Sequence, residues 1–366
     1  MASSNGSTVD WTDRRLPQVR VRLDAIRENT RSLADRFDGE LAAVTKGVAG
    51  DRSIAGAMLD GGADLLADSR IENLSRLDQR YDVPLLLLRP PMTGELEAVA
   101  TTADYSVHTE YETLERLDET VDRLGLTHGA IIMVDVGDRR EGVLAENLST
   151  ALVRMADLSA VDIAGIGVNF ACMNGLQATE RKMMEIHELR SRAERILDRP
   201  LDTVSIGGSA VVPRLDDGTD LDGITQVRLG EAILLGREPT TDTAVPTLRQ
   251  DGFEIVTQVV ERKTKPSSTD GATARAAFGD PAETGDGGTR DRAIVAIGRQ
   301  DIDPSAVRPV RSDVSVLGAS SDHTVLDVTG ATPPISIGDR VRFVPGYGSL
   351  LQAFTSPYVS PRYSDA

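Results

Sequence analysis

The chain has 366 residues, enough for one large domain and a smaller one, and 40% of them are hydrophobic. Its 40 basic and 57 acidic residues give a formal net charge of −17, which argues against nucleic acid and anionic membrane surfaces as partners. Only four of the basic residues are lysines, and this acidic, arginine-over-lysine composition is typical of a cytosolic protein from a salt-loving organism.

The N-terminal segment, residues 1–14, is polar, and we predict a disordered tail there rather than a secretion signal. No run of ~18 apolar residues occurs, so we expect no membrane-spanning helix and a cytoplasmic location. The single cysteine, Cys172, excludes intrachain disulfides and a cysteine-rich metal site, and we expect no bound metal.

From residue 18 onward, strand-like and helix-like segments alternate. Alternating polarity predicts a first strand at 18–23, and we expect Asp24 to cap a helix that continues to residue 37. Short aliphatic runs predict eight further strands, at 41–44, 63–67, 85–88, 105–108, 130–136, 163–169, 203–206 and 226–229. Amphipathic stretches predict helices between them, typified by 55–60, 71–80, 109–124, 146–155 and 179–197.

This alternation predicts the fold of the first domain. About eight β/α units in roughly 200 residues indicate an α/β fold of the (β/α)8 TIM-barrel type. A doubly wound open sheet is the alternative, but it would require an early glycine-rich dinucleotide turn, which the sequence lacks.

The pattern changes after Pro239, where strand-like runs follow one another without helices between them: 253–260, 293–297, 314–317, 324–328 and 340–344. We therefore predict a barrel domain at 15–240 and a smaller all-β domain at 241–366. Within the second domain, residues 265–291 are rich in Gly, Ser, Thr, Asp and Ala, which predicts a flexible excursion.

Lys46 follows the predicted strand at 41–44. A lysine at the end of an apolar strand is poorly solvated unless it has a partner or a function. One interpretation is that its side chain simply extends from the barrel mouth to water. The other is a Schiff-base lysine, whose amine pKa is lowered by desolvation and by nearby cations.

Glycine-rich turns follow the last two predicted barrel strands. Gly207, Gly208 and Ser209 offer backbone N–H groups and a hydroxyl, and Gly230 precedes a predicted helix. These units often form the phosphate site of a barrel. A lysine and a phosphate site at one barrel mouth point to pyridoxal phosphate (PLP), which carries an aldehyde and a phosphate.

Longer motifs resemble the alanine/ornithine racemase family of fold-type III PLP enzymes, which combine a barrel with a C-terminal β domain. The resemblance is carried by VTKGV at 44–48, MVDVGDRREG at 133–142 and TQVRLGEAILLGRE at 225–238. The C-terminal half also matches, through GRQD at 298–301, GASSDH at 318–323 and YGSLL at 347–351. The match covers nearly the whole chain beyond the tail.

The resemblance implies roles for particular residues. Lys46 is the cofactor-bound lysine and one catalytic base, and Arg228 faces the pyridine nitrogen, with Asn169 where alanine racemases place a histidine. Arg140 matches an arginine near the phenolic oxygen of the cofactor. The remaining matches are the phosphate contacts Ser209, Gly230, Glu231 and Tyr347, and Asp322 at a substrate entrance shared with the partner subunit.

Departures from the family pattern affect the second catalytic base. Gly50 stands where alanine racemases have a tyrosine, and Met133 stands where some have a carbamylated lysine. Phe278 aligns with the family's second base, a tyrosine, and phenylalanine cannot exchange a proton. Cys172, His323 and Tyr358 are the candidates to replace it. We favour His323, because Asp322 is next to it and a β domain can reach the site from a partner chain.

We therefore predict a PLP-dependent amino-acid racemase, acting as a homodimer on an unspecified amino acid. Another reaction on the same fold, such as that of a lyase or decarboxylase, is one alternative. A non-catalytic PLP-homeostasis protein is the other, although relatives of that kind resemble the barrel alone.

Overall fold

The structure is a computed structural model that describes residues 16–216, 221–272, 274–279 and 288–365. The predicted tail at 1–14 lies outside these ranges, and so does part of the predicted excursion at 265–291. The chain divides into two compact units, one of residues Arg22–Gly252 and one that joins Phe253–Ser364 to the segment before Arg22. Within the described residues, every helix is too short or too polar to cross a bilayer.

The first strand of the chain, β1 (Gln18–Arg22), pairs with the second unit. The first unit contains the strands β2 (Glu40–Val44), β3 (Leu65–Asp68), β4 (Leu85–Leu87), β5 (Tyr105–His108), β6 (His128–Asp135), β7 (Val143–Leu144), β8 (Val161–Asn169), β9 (Thr203–Gly207), β10 (Gln226–Leu229), β11 (Arg237–Glu238) and β12 (Thr243–Ala244). Its helices are α1 (Leu23–Ala34), α2 (Arg52–Asp60), α3 (Ile71–Asp78), α4 (Leu96–Thr102), α5 (Tyr111–Leu124), α6 (Leu148–Met155), α7 (Glu180–Leu197), α8 (Val212–Asp216) and α9 (Glu231–Leu235).

Eight of these strands form a closed parallel barrel in the order β5-β4-β3-β2-β10-β9-β8-β6, and β6 pairs with β5 to complete it. All eight runs predicted as barrel strands are present, and their bounds differ from the prediction by at most two residues at either end. The TIM-barrel prediction is confirmed. Parallel closure places the carboxyl ends of all eight strands at one mouth, where barrel enzymes carry their active sites.

Aliphatic side chains fill the barrel interior. The interior cluster consists of Ala42, Val44, Leu65, Ala67, Leu86, Val107, Ile131 and Met133, with Leu88 and Tyr105 packed against it. Because successive strand residues point to opposite faces, the alternate residues of each strand contact the surrounding helices. The barrel interior is therefore mainly aliphatic.

Helix α1 corrects one local prediction. The helix begins at Leu23 with Arg22 as its N-cap residue, so Asp24 lies in the first turn and does not cap the helix. The carboxylate of Asp24 instead pairs with Arg22 and with Arg249, at 3.3 and 2.7 Å. A negative charge in the first turn still favours the helix through its dipole.

The second unit is built on an antiparallel sheet. Its strands are β13 (Phe253–Pro266), β14 (Thr289–Val295), β15 (Val307–Pro309), β16 (Ser315–Ala319), β17 (Thr324–Asp327), β18 (Arg340–Pro345) and β19 (Ser360–Ser364). The sheet order is β15-β18-β13-β14-β17-β16, and β1 joins it by pairing with both β13 and β19. The predicted β domain is confirmed, and it also contains α10 (Tyr347–Thr355), which the strand pattern did not predict.

Strand β13 is longer than the sequence predicts. Its ladder with β14 continues to the pair Pro266 and Thr289, so the first residues of the predicted excursion belong to a hairpin. Polar side chains stabilise this extension, since Lys263 and Lys265 both pair with Glu261. Hydrophobic alternation therefore underestimates the strand, because its outer half carries charged residues on both faces.

Candidate active site

Lys46 lies at the barrel mouth, two residues after β2. It begins a short 3-10 helix, Lys46–Val48, which ends at Ala49 in the left-handed region with φ of 51°. Gly50 follows with φ of 64°, and Asp51 then caps α2 by accepting a hydrogen bond from the amide of Ile54. This tight turn ends the strand just before Lys46 and leads directly into α2. The Lys46 side chain is half-buried.

The electrostatic environment of Lys46 differs from that of the other lysines. Burial lowers the pKa of its amine, Arg140 lowers it further, and the Cys172 sulfur and two carboxylates partly oppose this. Within the described residues Lys46 forms no ion pair, whereas each of the other three lysines pairs with a glutamate. A lysine with a lowered pKa has a larger neutral fraction at neutral pH and can therefore act as a nucleophile or base.

A buried carboxylate supports the turn that carries Lys46. Asp68, which is fully buried at the end of β3, accepts hydrogen bonds from the Thr45 hydroxyl at 2.7 Å and from the Asn73 amide at 2.9 Å. Burial raises the pKa of Asp68, and these hydrogen bonds oppose the rise. Asn73 also packs against Gly50, where an added Cβ would lie 2.7 Å from the Asn73 Cβ. The family's tyrosine at this position would therefore not fit this turn.

Arg228 lies on β10, which pairs with β2, and is buried; it is in register with Ala42 of β2. Its guanidinium donates to the Ser205 hydroxyl, to the carbonyl of Val168 at 2.8 Å and to Asn169 Oδ1 at 2.9 Å. Burial lowers its pKa to about 10, so it remains a cation at neutral pH. Arg228 is thus a fixed positive charge held by three acceptors.

Two glycines make room for this guanidinium. A Cβ on Gly207 would lie 2.4 Å from Arg228 Nη2, and one on Gly167 would lie 3.4 Å from Nη1. Such distances leave no space for a side chain at Gly207 unless the arginine moves.

The two glycine-rich turns that the sequence suggested as a phosphate site lie at the mouth. Gly208 has φ of 103°, and an added Cβ would lie 2.5 Å from the carbonyl of Phe170. Ser209 is buried, and its hydroxyl accepts a hydrogen bond from the amide of Ala232 at 2.9 Å, which ties the β9 turn to the first turn of α9. Gly230 is the N-cap of α9 and Glu231 its first residue. These turns bring backbone amides and a hydroxyl together, which suits an anionic group.

Arg140 and Cys172 lie at the same mouth, on the loops after β6 and β8. Both interact electrostatically with Lys46 and with Arg228. Cys172 is exposed, yet partial burial of its thiol raises the pKa of that group, and Arg140 and Lys46 act in the opposite direction. The loop is anchored by Asp138, whose carboxylate accepts hydrogen bonds from the amide of Cys172 and from the two amides that follow.

Four candidate residues, and also Phe278, belong to the second unit. Tyr347 is the first residue of α10 and is half-buried. His323 and Asp322 are exposed in the turn before β17, with His323 Nδ1 3.3 Å from Asp322 Oδ1. Phe278 is 53% exposed, and its ring stacks under the Arg299 guanidinium at 5.4 Å. Tyr358 is also exposed.

Sequence reasoning missed two residues of the site. Glu141 accepts a hydrogen bond from Asn169 Nδ2 at 2.9 Å, and Asp68 supports the Lys46 turn. Both could have been found from the sequence, since Glu141 directly follows Arg140 in the motif at 133–142 and Asp68 directly follows the predicted strand at 63–67. His108, by contrast, ends a strand but points toward the helices, because its neighbour Val107 is part of the barrel interior.

Comparisons with known proteins agree with this geometry. The family profile described as "Alanine racemase, N-terminal domain" matches residues 21–238. The chain is 35% identical to an ornithine racemase from Acetoanaerobium sticklandii over 94% of this chain and 98% of that protein. It is 36% identical to a lysine racemase from Thermotoga maritima over 95% of this chain and 98% of that protein.

A solved structure shares the fold of the whole chain. It is an alanine racemase from Bartonella henselae with covalently bound pyridoxal phosphate, which has a TM-score of 0.69 and 19% identity, and the match covers 95% of this chain and 99% of that one. The barrel, the β domain and the sequence relatives lead to one conclusion. The chain belongs to the alanine racemase family of fold-type III PLP enzymes and is a PLP-dependent amino-acid racemase.

Proposed function

We propose that this racemase acts on a basic amino acid of the ornithine and lysine class, with Lys46 as one of its two catalytic bases. The observation that carries the catalytic part is the position of Lys46, whose amine has a lowered pKa at the mouth where Arg228 and the phosphate turns also lie. The substrate class is supported by the two relatives that span 94% and 95% of the chain.

The described residues fit PLP. Lys46 would bind its aldehyde, Ser209, Gly230 and Glu231 would hold its phosphate, and Arg228 would face its pyridine nitrogen. Glycines at the turns leave backbone space that a Cβ would occupy, and Arg228 supplies a fixed cation. The family resemblance adds Tyr347 as a phosphate contact, Arg140 near the phenolic oxygen, and Asn169 as the support of Arg228.

When bound, PLP withdraws electrons from the α-carbon of the amino acid and so makes its α-proton acidic. Lys46 Nζ removes or returns this proton on one face. Its lowered pKa serves this role, because a general base works best with a pKa near the working pH. Arg228 stays charged and does not give up a proton, so beside the pyridine nitrogen it would disfavour protonation of that nitrogen.

A racemase needs a second proton carrier on the opposite face. We assign this role to His323 of the partner subunit, with Asp322 holding the imidazole at the substrate entrance. Imidazole is the side chain that most often exchanges protons in enzymes. Cys172 is the alternative, because it lies at the mouth beside Lys46, but its raised pKa disfavours the thiolate that a base requires.

The two candidates can be separated by isotope exchange. In His323→Gln, interconversion of enantiomers should fall by roughly 10²-fold or more, the usual effect of losing an acid–base group. Deuterium exchange into one enantiomer should continue through Lys46. If His323→Gln racemises normally and Cys172→Ala does not, the role belongs to Cys172. If both racemise normally, Tyr358 is the next residue to test.

The same assignment requires a homodimer, since His323 is supplied by a second copy of the chain. Sedimentation of the purified protein should give about twice the mass of 39.2 kDa. A monomer with full racemase activity would overturn the assignment of His323 to the partner. The acidic composition also supports a cytoplasmic protein of a salt-loving organism, as proposed from the sequence.

The substrate class is tested with single enantiomers of ornithine, lysine, arginine, alanine and serine, followed by chiral chromatography. We expect kcat/KM to be highest for ornithine or lysine. A preference for alanine would contradict the proposed substrate class while leaving the racemase activity intact.

A further inference from the structure

Glu141 connects two arginines of the site. Its Oε1 accepts a hydrogen bond from Arg140 Nη2 at 2.6 Å and another from Asn169 Nδ2 at 2.9 Å. Asn169 Oδ1 in turn accepts the hydrogen bond from Arg228 Nη2 at 2.9 Å. A continuous chain of hydrogen bonds therefore runs from Arg140 through Glu141 and Asn169 to Arg228.

The local backbone brings Glu141 to this position. Asp135 at the end of β6 accepts hydrogen bonds from the amides of Gly137 and Arg139, which closes the loop tightly. Gly142 has φ of 139°, and a Cβ there would lie 2.4 Å from the amide nitrogen of Asp135. The loop therefore folds back on the strand end and leaves Glu141 facing β8.

The contacts and burial of Glu141 are not those of a surface ion pair formed only with its chain neighbour. Arg140 is its chain neighbour, but Asn169 is 28 residues away on β8, and Arg228 is a further 59 residues along the chain. The Glu141 side chain is only 24% exposed. A partly buried carboxylate between two cations orders both of them more strongly than a solvated ion pair would.

We propose that Glu141 is a positioning residue for racemisation, which fixes Arg140 directly and Arg228 through Asn169. This inference rests on the proposed roles of the two arginines beside the cofactor. Asn169 can serve as the link because its amide donates from one end and accepts at the other. Glu141 and Arg228 favour the same orientation of this amide, since the carboxylate only accepts and the guanidinium only donates.

The test compares Glu141→Gln with the unmodified protein and with Glu146→Gln, a change to an exposed glutamate of the same segment. The affinity of the cofactor-free protein for PLP is measured by fluorescence titration, and kcat and KM are measured on the loaded enzyme. For Glu141→Gln we expect PLP affinity and kcat to fall by about 10- to 100-fold, because the carboxylate charge that strengthens the hydrogen bonds from Arg140 and Asn169 is removed. KM for the amino acid and the melting temperature of the cofactor-free protein should change little.

A double-mutant cycle tests the link through Asn169. If Glu141 acts on Arg228 through Asn169, Glu141→Gln should cost less in an Asn169→Ala background, by at least about threefold. Strictly additive effects would overturn the link. PLP affinity and kcat equal to those of Glu146→Gln would overturn the inference and leave the racemase assignment standing. An unmodified protein that neither binds PLP nor racemises any amino acid would overturn both.

Discussion

At the scale of single residues, Lys46 is distinguished from three lysines that the structure pairs with glutamates. We predict that borohydride reduction of the loaded protein attaches the cofactor to Lys46, which peptide mapping by mass spectrometry would detect. Lys46→Ala should abolish the labelled peptide and lower kcat by about 10²- to 10⁴-fold, because a general base is lost. Label on Lys182, Lys263 or Lys265 would contradict the assignment.

A second residue-scale prediction concerns the space beside Arg228. In Gly207→Ala, the new methyl group would lie 2.4 Å from Arg228 Nη2 and 2.8 Å from Asn169 Oδ1, so the arginine must move. We expect a loss of about 1–3 kcal/mol in the free energy of unfolding, measured with urea, and a weaker affinity for PLP.

The matched control is Gly94→Ala. A Cβ at Gly94 meets no atom within 4 Å, so this change should leave the free energy of unfolding within about 0.5 kcal/mol of the unmodified value. Equal behaviour of the two variants would show that Arg228 is not held as tightly as its contacts indicate.

At the scale of elements, β5 and β6 are joined on their outer faces by a buried polar group. The Ser106 hydroxyl lies 2.7 Å from Nε2 of both His108 and His128, and neither Nδ1 has a hydrogen-bond partner among the described residues. The hydroxyl has one proton, so it donates to one ring and accepts from the other. The two neutral rings must therefore adopt opposite tautomers.

Burial lowers the pKa of His108 to about 3 and that of His128 to about 4. Because both values lie below the unfolded value of ~6.5, the unfolded chain binds more protons once the pH falls below that value. We therefore predict that the free energy of unfolding decreases as the pH is lowered from 7 to 5, with a slope approaching about 2.7 kcal/mol per pH unit for two protons.

Urea unfolding at several pH values measures this slope. In His108→Gln the slope should fall by about half, because one of the two titrating groups is gone. A slope that is the same in the variant would show that other groups cause the acid sensitivity.

At the scale of the whole molecule, the net charge of −17 governs how the stability of the folded state depends on salt. Self-repulsion of acidic residues destabilises the folded state and is reduced when salt screens it. We predict that the melting temperature rises between low salt and ~2 M KCl. Most of the screening should be reached by about 1 M, where the Debye length is already near ~3 Å. A melting temperature that stays flat or falls over this range would contradict adaptation to salt.

The sequence alone determined the strands and helices of the barrel and identified the main candidate site residues. The barrel strands were predictable because apolar runs and amphipathic helices are local patterns, and Lys46 was predictable because few lysines occur and this one ends an apolar strand. The two glycine-rich turns at the mouth were predictable in the same way, from glycines next to strand ends. Helix α10 and the outer half of β13 were not, since their charged or mixed residues hide the periodicity.

Only the tertiary structure decided which polar residues meet. Arg228, Asn169 and Glu141 are far apart in the chain, and their contact depends on the register of β10, β9 and β8 in the closed barrel. The closed barrel also decides which face of β5 is interior: Val107 packs inside, so the next residue, His108, points outward although it ends a strand. Local sequence determines where each strand lies in the chain. Strand pairing and loop closure determine which side chains come within hydrogen-bond distance.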